Sequence, residues 1–366
     1  DVLYEIGDIA MSSDENDSDN NDNGDDDGAD ESESESATVG EQWTKWQSTH
    51  VMNQLPFTVQ NPGVQIIGTA IPDNAGDSFA LFFTTDFVQE MVNETNRYAN
   101  EKLSNLDIKS RSIWHNWKDV TGTEFRAYLG VVLRMAMQVR GEIQDFFSTE
   151  WINHMPFYGD VFRRERFLQI HWMLHVQPPS SNAAGSQTRG SKVKNVTAHM
   201  KNKCLELFIP YQNIVIDEST ISFKGRTQFK MYNPQKPHKW GLRVFSLADC
   251  KTGYLCAFKP YYRSITTNNL PRSDLPFTAR IVIHLCYELK QLVNGDGYHL
   301  FTDRYYTSHC LAQELLKANI HTTGTVMRNR QGLPHDVKQT LKMKKFKVRA
   351  WNYNNNRSEE RRVGKE

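Results

Sequence analysis

Between residues 177 and 195 the chain reads QPPSSNAAGSQTRGSKVKN, and the spacing of its apolar residues differs on the two sides of that stretch. A Pro-, Ser-, Gly- and Asn-rich run without an apolar period predicts a linker. A chain whose period changes from about 3.6 to 2 across a linker is expected to build two differently packed domains. Upstream, Phe87, Val88, Met91, Thr95 and Tyr98 recur at helical spacing, with Asp86 available as an N-cap. Thr121 and Glu124 form a capping-box pattern before Phe125, Tyr128, Leu129, Val132, Leu133 and Ala136. A third helix is expected over Phe162 to Leu174, with Arg163, Arg164 and Arg166 near its start. Together these predict an all-α region over about 76–178, preceded by a linker over 41–75.

Downstream of a linker region over 179–209, a domain over 210–350 is expected to contain strands at Ile214 to Ile216, Leu242 to Leu247 and Tyr254 to Phe258. The last two are joined by a hairpin turn over Asp249 to Gly253. A helix capped by Ser273 or Asp274 places Phe277, Ile281, Val282, Leu285, Leu289 and Leu292 on one face. A strand over Tyr298 to Thr302 then runs into Asp303, Ser308 caps a helix through Leu311, Leu315 and Leu316, and Thr322 to Val326 form a further strand. Strands and helices in that order predict a mixed α/β layer fold.

Charge is unevenly placed. Residues 1–40 hold fifteen Asp and Glu and no Lys or Arg, so 43 − 15 leaves 28 acidic against 43 basic residues in the remainder, a surplus of fifteen positive charges. The acidic block offers little to bury and is expected to be disordered, either as a contact for basic partners or as a solubilising tail. The basic remainder points to a polyanionic partner. No apolar run reaches membrane-spanning length. Five cysteines without a CxxC pair or a secretory signal fit a reducing compartment.

The chemistry-bearing residues stand where strands are expected to end. NIVIDESTISFKGR, residues 213–226, sets an apolar run before Asp217 and Glu218, and FTDRYYTS repeats the arrangement at Asp303. If the strands are neighbours, both carboxylates reach one sheet edge, a setting for a hard divalent cation. The bland alternative is that Asp is a common turn residue at strand ends. Lys224, Arg226, Lys230, Lys236, Lys239 and Arg243 follow the first carboxylate, interleaved with Phe223, Phe229, Tyr232 and Trp240, and Arg304 follows the second. Basic and aromatic residues mixed in this way suit a phosphate backbone beside unstacked bases.

IDESTISFKGRTQFKMYNPQKPHKWGLRVFSLADCKTGYL resembles the start of the catalytic domain of piggyBac-type transposases and their domesticated derivatives, with the DE-x-x-x-x-F-x-G-R, KP-x-K-x-G and D-x-K-T-G elements in order. FTDRYYTS is similar to the segment around the family's second catalytic Asp, and Gly324 to Val326 with Asn329 and Arg330 match a following GTV-x-x-N-R stretch. FFTTDFVQEMVNETN, EFRAYLGVVLRMAM and RRERFLQIHWMLHV are similar to its helical N-terminal domain, so the resemblance covers roughly residues 80–335. It implies an RNase H-like sheet with Asp217 and Asp303 as catalytic metal ligands and Mg²⁺ or Mn²⁺ as cofactor. It also implies DNA as partner, a nuclear location and compatibility with a homodimer. Lys224, Arg226, Lys236, Lys239, Arg243, Arg304, Arg328 and Arg330 are then the expected DNA contacts. The family's third catalytic Asp and its Cys-rich zinc-binding domain find no match in the chain. A C-terminally truncated piece is therefore expected, and RSEERRVGKE at 357–366 within the tail 351–366 resembles translated adaptor sequence. The resemblance leaves open a DNA transposase or domesticated derivative, expected to be inactive as this fragment for want of the third metal ligand, a non-catalytic DNA- or chromatin-binding derivative, or a decayed reading frame.

Other features carry less. His171 and His175 lie four apart without the Glu of a zinc-protease motif, and no zinc site is expected there. Strand alternation directs Glu218 away from Asp217. The cluster Lys342, Lys344, Lys345, Lys347 and Arg349 reads as an import or phosphate-contact patch, or equally as a solvated strand face.

Overall fold

The computed structural model describes residues 43–45, 55–65, 72–105, 107–109, 112–138, 140–176, 190–223, 225–234, 239–334 and 351–353. The acidic block, most of the 177–195 linker, Lys224, Lys236, the cluster from Lys342 to Arg349 and the tail from 357 lie outside the described residues. Two compact units form, one around Ile71–Met200 and the other around Lys201–Glu366 with part of the 25–70 segment.

The first unit holds helices α1 (Ala75–Phe82), α2 (Thr85–Ser104), α3 (Gly122–Ala136), α4 (Pro156–Val161) and α5 (Arg164–Met173), and the unit boundary falls inside α6 (Lys194–Leu207). Its core gathers Phe87, Val88, Met91 and Val92 of α2, Phe125, Tyr128 and Val131 of α3, and Phe167 and Ile170 of α5. Thr84, not Asp86, caps α2, because its hydroxyl accepts from the Phe87 N–H while Asp86 takes a place in the first turn. Thr121 caps α3 as expected. The Glu124 carboxylate receives a two-pronged contact from Arg166 of α5 at 2.6 and 2.7 Å.

The second unit is built on a six-stranded sheet. Its strands are β4 (Asn213–Ser222), β5 (Lys230–Tyr232), β6 (Trp240–Asp249), β7 (Leu255–Pro260), β8 (His299–Thr302) and β9 (His321–Gly324). The order is β5-β6-β4-β8-β9, with β7 on the same edge of β6 as β5. β4 and β6 are antiparallel, whereas β4, β8 and β9 run parallel. The sheet is therefore mixed, and the α/β class follows from the helices packed on it. Short strands β1 (Trp43–Lys45) and β2 (Gly63–Val64) pair with β10 (Trp351–Tyr353) and β3 (Phe208–Ile209).

Helices α7 (Ser264–Asn268), α8 (Phe277–Leu292) and α9 (His309–Lys317) complete the unit. Ile214 and Ile216 of β4, Phe245 and Leu247 of β6 and Leu300 of β8 share one core with Ile281, Val282, Leu285 and Leu289 of α8. Each such side chain contributes about 1.5–3 kcal/mol by leaving water. Pro276 rather than Ser273 or Asp274 stands at the cap position of α8, since Asp274 is engaged by Arg272. The Asp249 turn forms as the sequence predicts: its carboxylate accepts from the Thr252 N–H and hydroxyl, and Gly253 supplies a φ of +73°.

Part of the 41–75 segment packs on this unit. Val59 is buried in its core, and Thr58 exchanges hydrogen bonds with Asp296. Gly297 admits this strap, because a Cβ there would stand 2.1 Å from the Pro56 carbonyl oxygen.

Candidate active site

β4 does not end at Asp217. The apolar run gives way to a carboxylate because β8 departs there: the parallel ladder pairs Asn213 with His299 through Ile216 with Thr302 and then stops. β4 continues to Ser222 against β6 alone. The next residues on the two parallel strands are Asp217 and Asp303. Neighbouring strands lie about 4.8 Å apart, so both carboxylates spring from adjacent positions at one rim of the sheet. Both residues are exposed.

Backbone N–H groups orient the pair. Asp217 Oδ1 accepts from the Glu218 N–H at 2.8 Å, and Asp303 Oδ1 accepts from the Tyr305 N–H at 2.9 Å. The Asp217 carboxyl is raised above the usual carboxylate range. Partial burial is the main cause, opposed by the Glu218 N–H and reinforced by the Glu218 and Asp303 charges. Two carboxylates that repel one another form an oxygen-donor setting complementary to a hard divalent cation. Among the described residues no group of three or more His, Cys, Asp or Glu has metal-binding geometry.

Glu218 alternates to the core side, where its Oε2 accepts from the Tyr306 hydroxyl at 2.8 Å. Tyr306 is fully buried, and burial followed by the Glu218 charge pushes its phenol well up. The sequence alone did not single out Tyr306; its signal is only an aromatic pair after an Asp.

The loop that carries Asp303 is closely tied. Thr307 donates to the Asp303 carbonyl through both its N–H and its hydroxyl, and its Oγ1 lies 2.8 Å from that of Thr302. Ser308 then caps α9 by accepting from the Leu311 N–H. Gly324 of β9 sits against this loop, where a Cβ would meet Thr307 Oγ1 at 2.2 Å and the Thr302 carbonyl oxygen at 2.5 Å. Arg330 donates to the Tyr305 carbonyl at 2.5 Å and braces the loop from outside.

The basic residues separate into groups. Arg304 is exposed on the Asp303 loop and Arg328 beyond β9, while Arg226 is exposed between β4 and β5 and Lys239 between β5 and β6. Arg243 pairs with Thr220 and shares the face of Phe245 and Leu247, which places it on the sheet face opposite Asp217. Lys224 and Lys236 lie outside the described residues. In the helical unit, the His171 ring lies 3.0 Å from the Tyr128 hydroxyl, and His175 stacks on Tyr98 beyond the end of α5.

Comparison with known proteins agrees with this architecture. A family model described as Transposase IS4 matches residues 74–356. The human PiggyBac transposable element-derived protein 2 is 28% identical over 288 residues, covering 77% of this chain and 44% of that protein. The human PiggyBac transposable element-derived protein 3 is 24% identical over 250 residues, covering 68% of this chain and 39% of that protein. The chain thus spans less than half the length of these curated relatives. Among solved structures, a piggyBac transposase synaptic complex with hairpin DNA shares the fold with a TM-score of 0.63 at 23% identity, over 74% of this chain and 55% of that one. With the family model covering well over half of its length and piggyBac-derived proteins among its relatives, the chain belongs to the Transposase IS4 family, on its piggyBac-type side.

Proposed function

We propose that the chain is a piggyBac-like DNA transposase or a domesticated derivative, acting on DNA in the nucleus through an RNase H-like domain over 210–350 that follows a helical domain over 76–178. The observation that carries this reading is the β4–β8 register, whose next step is the pair Asp217 and Asp303. Those two carboxylates fit Mg²⁺ or Mn²⁺ as hard-oxygen ligands, and a cation between them would offset their mutual repulsion. When bound, the metal supplies charge neutralisation at a phosphodiester and activation of a water or 3′-hydroxyl nucleophile.

The chain's own residues supply the rest. Asp217 and Asp303 hold the ligand positions, each fixed by a backbone N–H. Tyr306 and Glu218 hold the strand from the core side, and the Thr302–Thr307 contact fixes the loop. Arg226, Lys239, Arg304 and Arg328 are the proposed phosphate contacts, with Lys224 and Lys236 beside the first two in sequence. Arg330 acts through its brace on the Asp303 loop. A homodimer is compatible with this scheme.

The test is nicking of transposon-end DNA in Mg²⁺ or Mn²⁺ by the protein with the family's third catalytic Asp restored. Nicking that is lost in both Asp217→Ala and Asp303→Ala, with DNA affinity kept within about twofold, supports the reading; nicking that persists in Asp217→Ala sinks it. The second reading is a DNA- or chromatin-binding derivative without chemistry, and it rests on the basic surplus of the chain beyond residue 40. It predicts salt-dependent DNA affinity with no nicking. A flat plot of log affinity against log salt overturns it.

A further inference from the structure

Asp217 begins a second feature that the carboxylate pair does not use. On β4 its face continues through Ser219 and Ile221 to Phe223, and on β6 the same face carries Ser246, Val244, Leu242 and Trp240. The Phe223 N–H donates to the Trp240 carbonyl, which extends the ladder one step further, and Tyr232 of β5 sits opposite Trp240. A sheet face that solvates ordinary side chains would be polar here. Instead Ile221 is 57% exposed, Trp240 52%, Tyr232 42% and Phe223 38%.

These side chains are contiguous. The Phe223 ring lies against Gly225, where a Cβ would come within 2.6 Å of it. The Gly225 carbonyl accepts from Lys230 Nζ at 3.1 Å, that ammonium stands 5.3 Å over the Trp240 ring, and the Trp240 and Tyr232 rings are 4.7 Å apart. Six residue steps lead from Asp217 to Phe223, so the strip runs about 20 Å away from the carboxylate pair.

Charge identifies its occupant. Residues 219–248 contain Lys224, Arg226, Lys230, Lys236 and Lys239, with Arg243 on the opposite face, and not one Asp or Glu. Exposed rings with cations among them suit a strand of nucleic acid whose bases are unpaired, since bases stack on the rings while phosphates meet the ammonium and guanidinium groups. A paired duplex keeps its base faces inside its own stack and offers them no such contact.

We infer that the strip formed by Ile221, Phe223, Tyr232 and Trp240 holds an unpaired DNA strand extending from the Asp217–Asp303 rim. This rests on the reading of the chain as a DNA-processing protein and adds the form of DNA that it takes. The test measures fluorescence anisotropy of the full chain with two probes at one salt concentration: an oligo-dT of about 12 nucleotides and a blunt duplex of about 12 base pairs. The single strand binds more tightly. Trp240→Ala and Tyr232→Ala each weaken it by about tenfold and the duplex by less than about twofold, whereas Trp240→Phe keeps most of the affinity. With 5-iododeoxyuridine in the oligo-dT, photocrosslinks map to Phe223, Tyr232 or Trp240.

Equal losses for both probes, or unchanged single-strand affinity in a folded Trp240→Ala protein, overturn the inference. A concentration-dependent dimer that Trp240→Ala abolishes also overturns it, by assigning the strip to a second copy. Failure of the catalytic reading shows separately, as nicking that ignores Asp217→Asn. Failure of the strip alone shows as Asp217-dependent nicking with no preference for the unpaired probe.

Discussion

At the scale of single residues, Asp217 pairs function with a stability cost. Its carboxyl titrates above the usual range, so the folded chain binds that proton more tightly than the unfolded chain does. The group therefore favours the fold at acid pH, and its ionisation lowers stability as pH rises from the ordinary carboxylate value through the raised one. Asp217→Asn is expected to stabilise the metal-free protein at pH 7, with the gain vanishing at about pH 3, as read by urea denaturation at both values. Mg²⁺ is expected to raise the melting temperature of the parent chain and to leave that of the variant unchanged. Gly324 makes the complementary case. Gly324→Ala brings a Cβ against Thr307 Oγ1 and the Thr302 carbonyl, and a cost of about 1–3 kcal/mol is expected by denaturation. Both carboxylates stand out in the sequence as acids after apolar runs. The partnership of Tyr306 with Glu218 does not, because it depends on which way β4 alternates and on a loop that returns to it through 88 residues.

At the scale of elements, periodicity conveyed which segments are helix and which are strand, and tertiary partners decided their ends. Asp274 reads as a helix cap until Arg272 engages it, and Asp86 reads as one until Thr84 proves nearer to the Phe87 N–H. The strand expected over Ile214 to Ile216 is ten residues long, because β6 supports the polar half that β8 does not reach. Lys201 of α6 ties that helix to α8, its Nζ lying 2.5 Å from Glu288 Oε1, and within α8 His284 lies 3.1 Å from the same oxygen. Burial alone would push the Glu288 carboxyl up, but the hydrogen bonds from His284 and Lys201 overcome it and bring the group down to about 2. A depressed carboxyl contributes stability that is fully present above its ordinary value of 4.5 and is lost as pH falls towards about 2. Glu288→Gln is expected to cost about 2 kcal/mol at pH 7 and almost nothing near pH 2, measured by denaturant titration at the two pH values. An equal cost at both would show that the pair does not carry the effect.

At the scale of the whole molecule, the switch of apolar period announced an α region followed by an α/β region, and the charge imbalance supports the proposed DNA partner. What it could not convey is register, because strand pairing joins β4 to β8 across three other strands and two helices. The central claim is that this register turns two acids 86 residues apart in sequence into one cation site. Replacing Mg²⁺ with Fe²⁺ in the presence of hydrogen peroxide and ascorbate tests it directly, since bound iron reduces the peroxide to hydroxyl radicals that cut the backbone nearest to it and ascorbate returns the iron to Fe²⁺. Cuts are expected beside both Asp217 and Asp303, suppressed together by excess Mg²⁺ and lost together in Asp217→Asn and in Asp303→Asn. Cuts beside only one of the two, or cuts at both that survive either substitution, would contradict it.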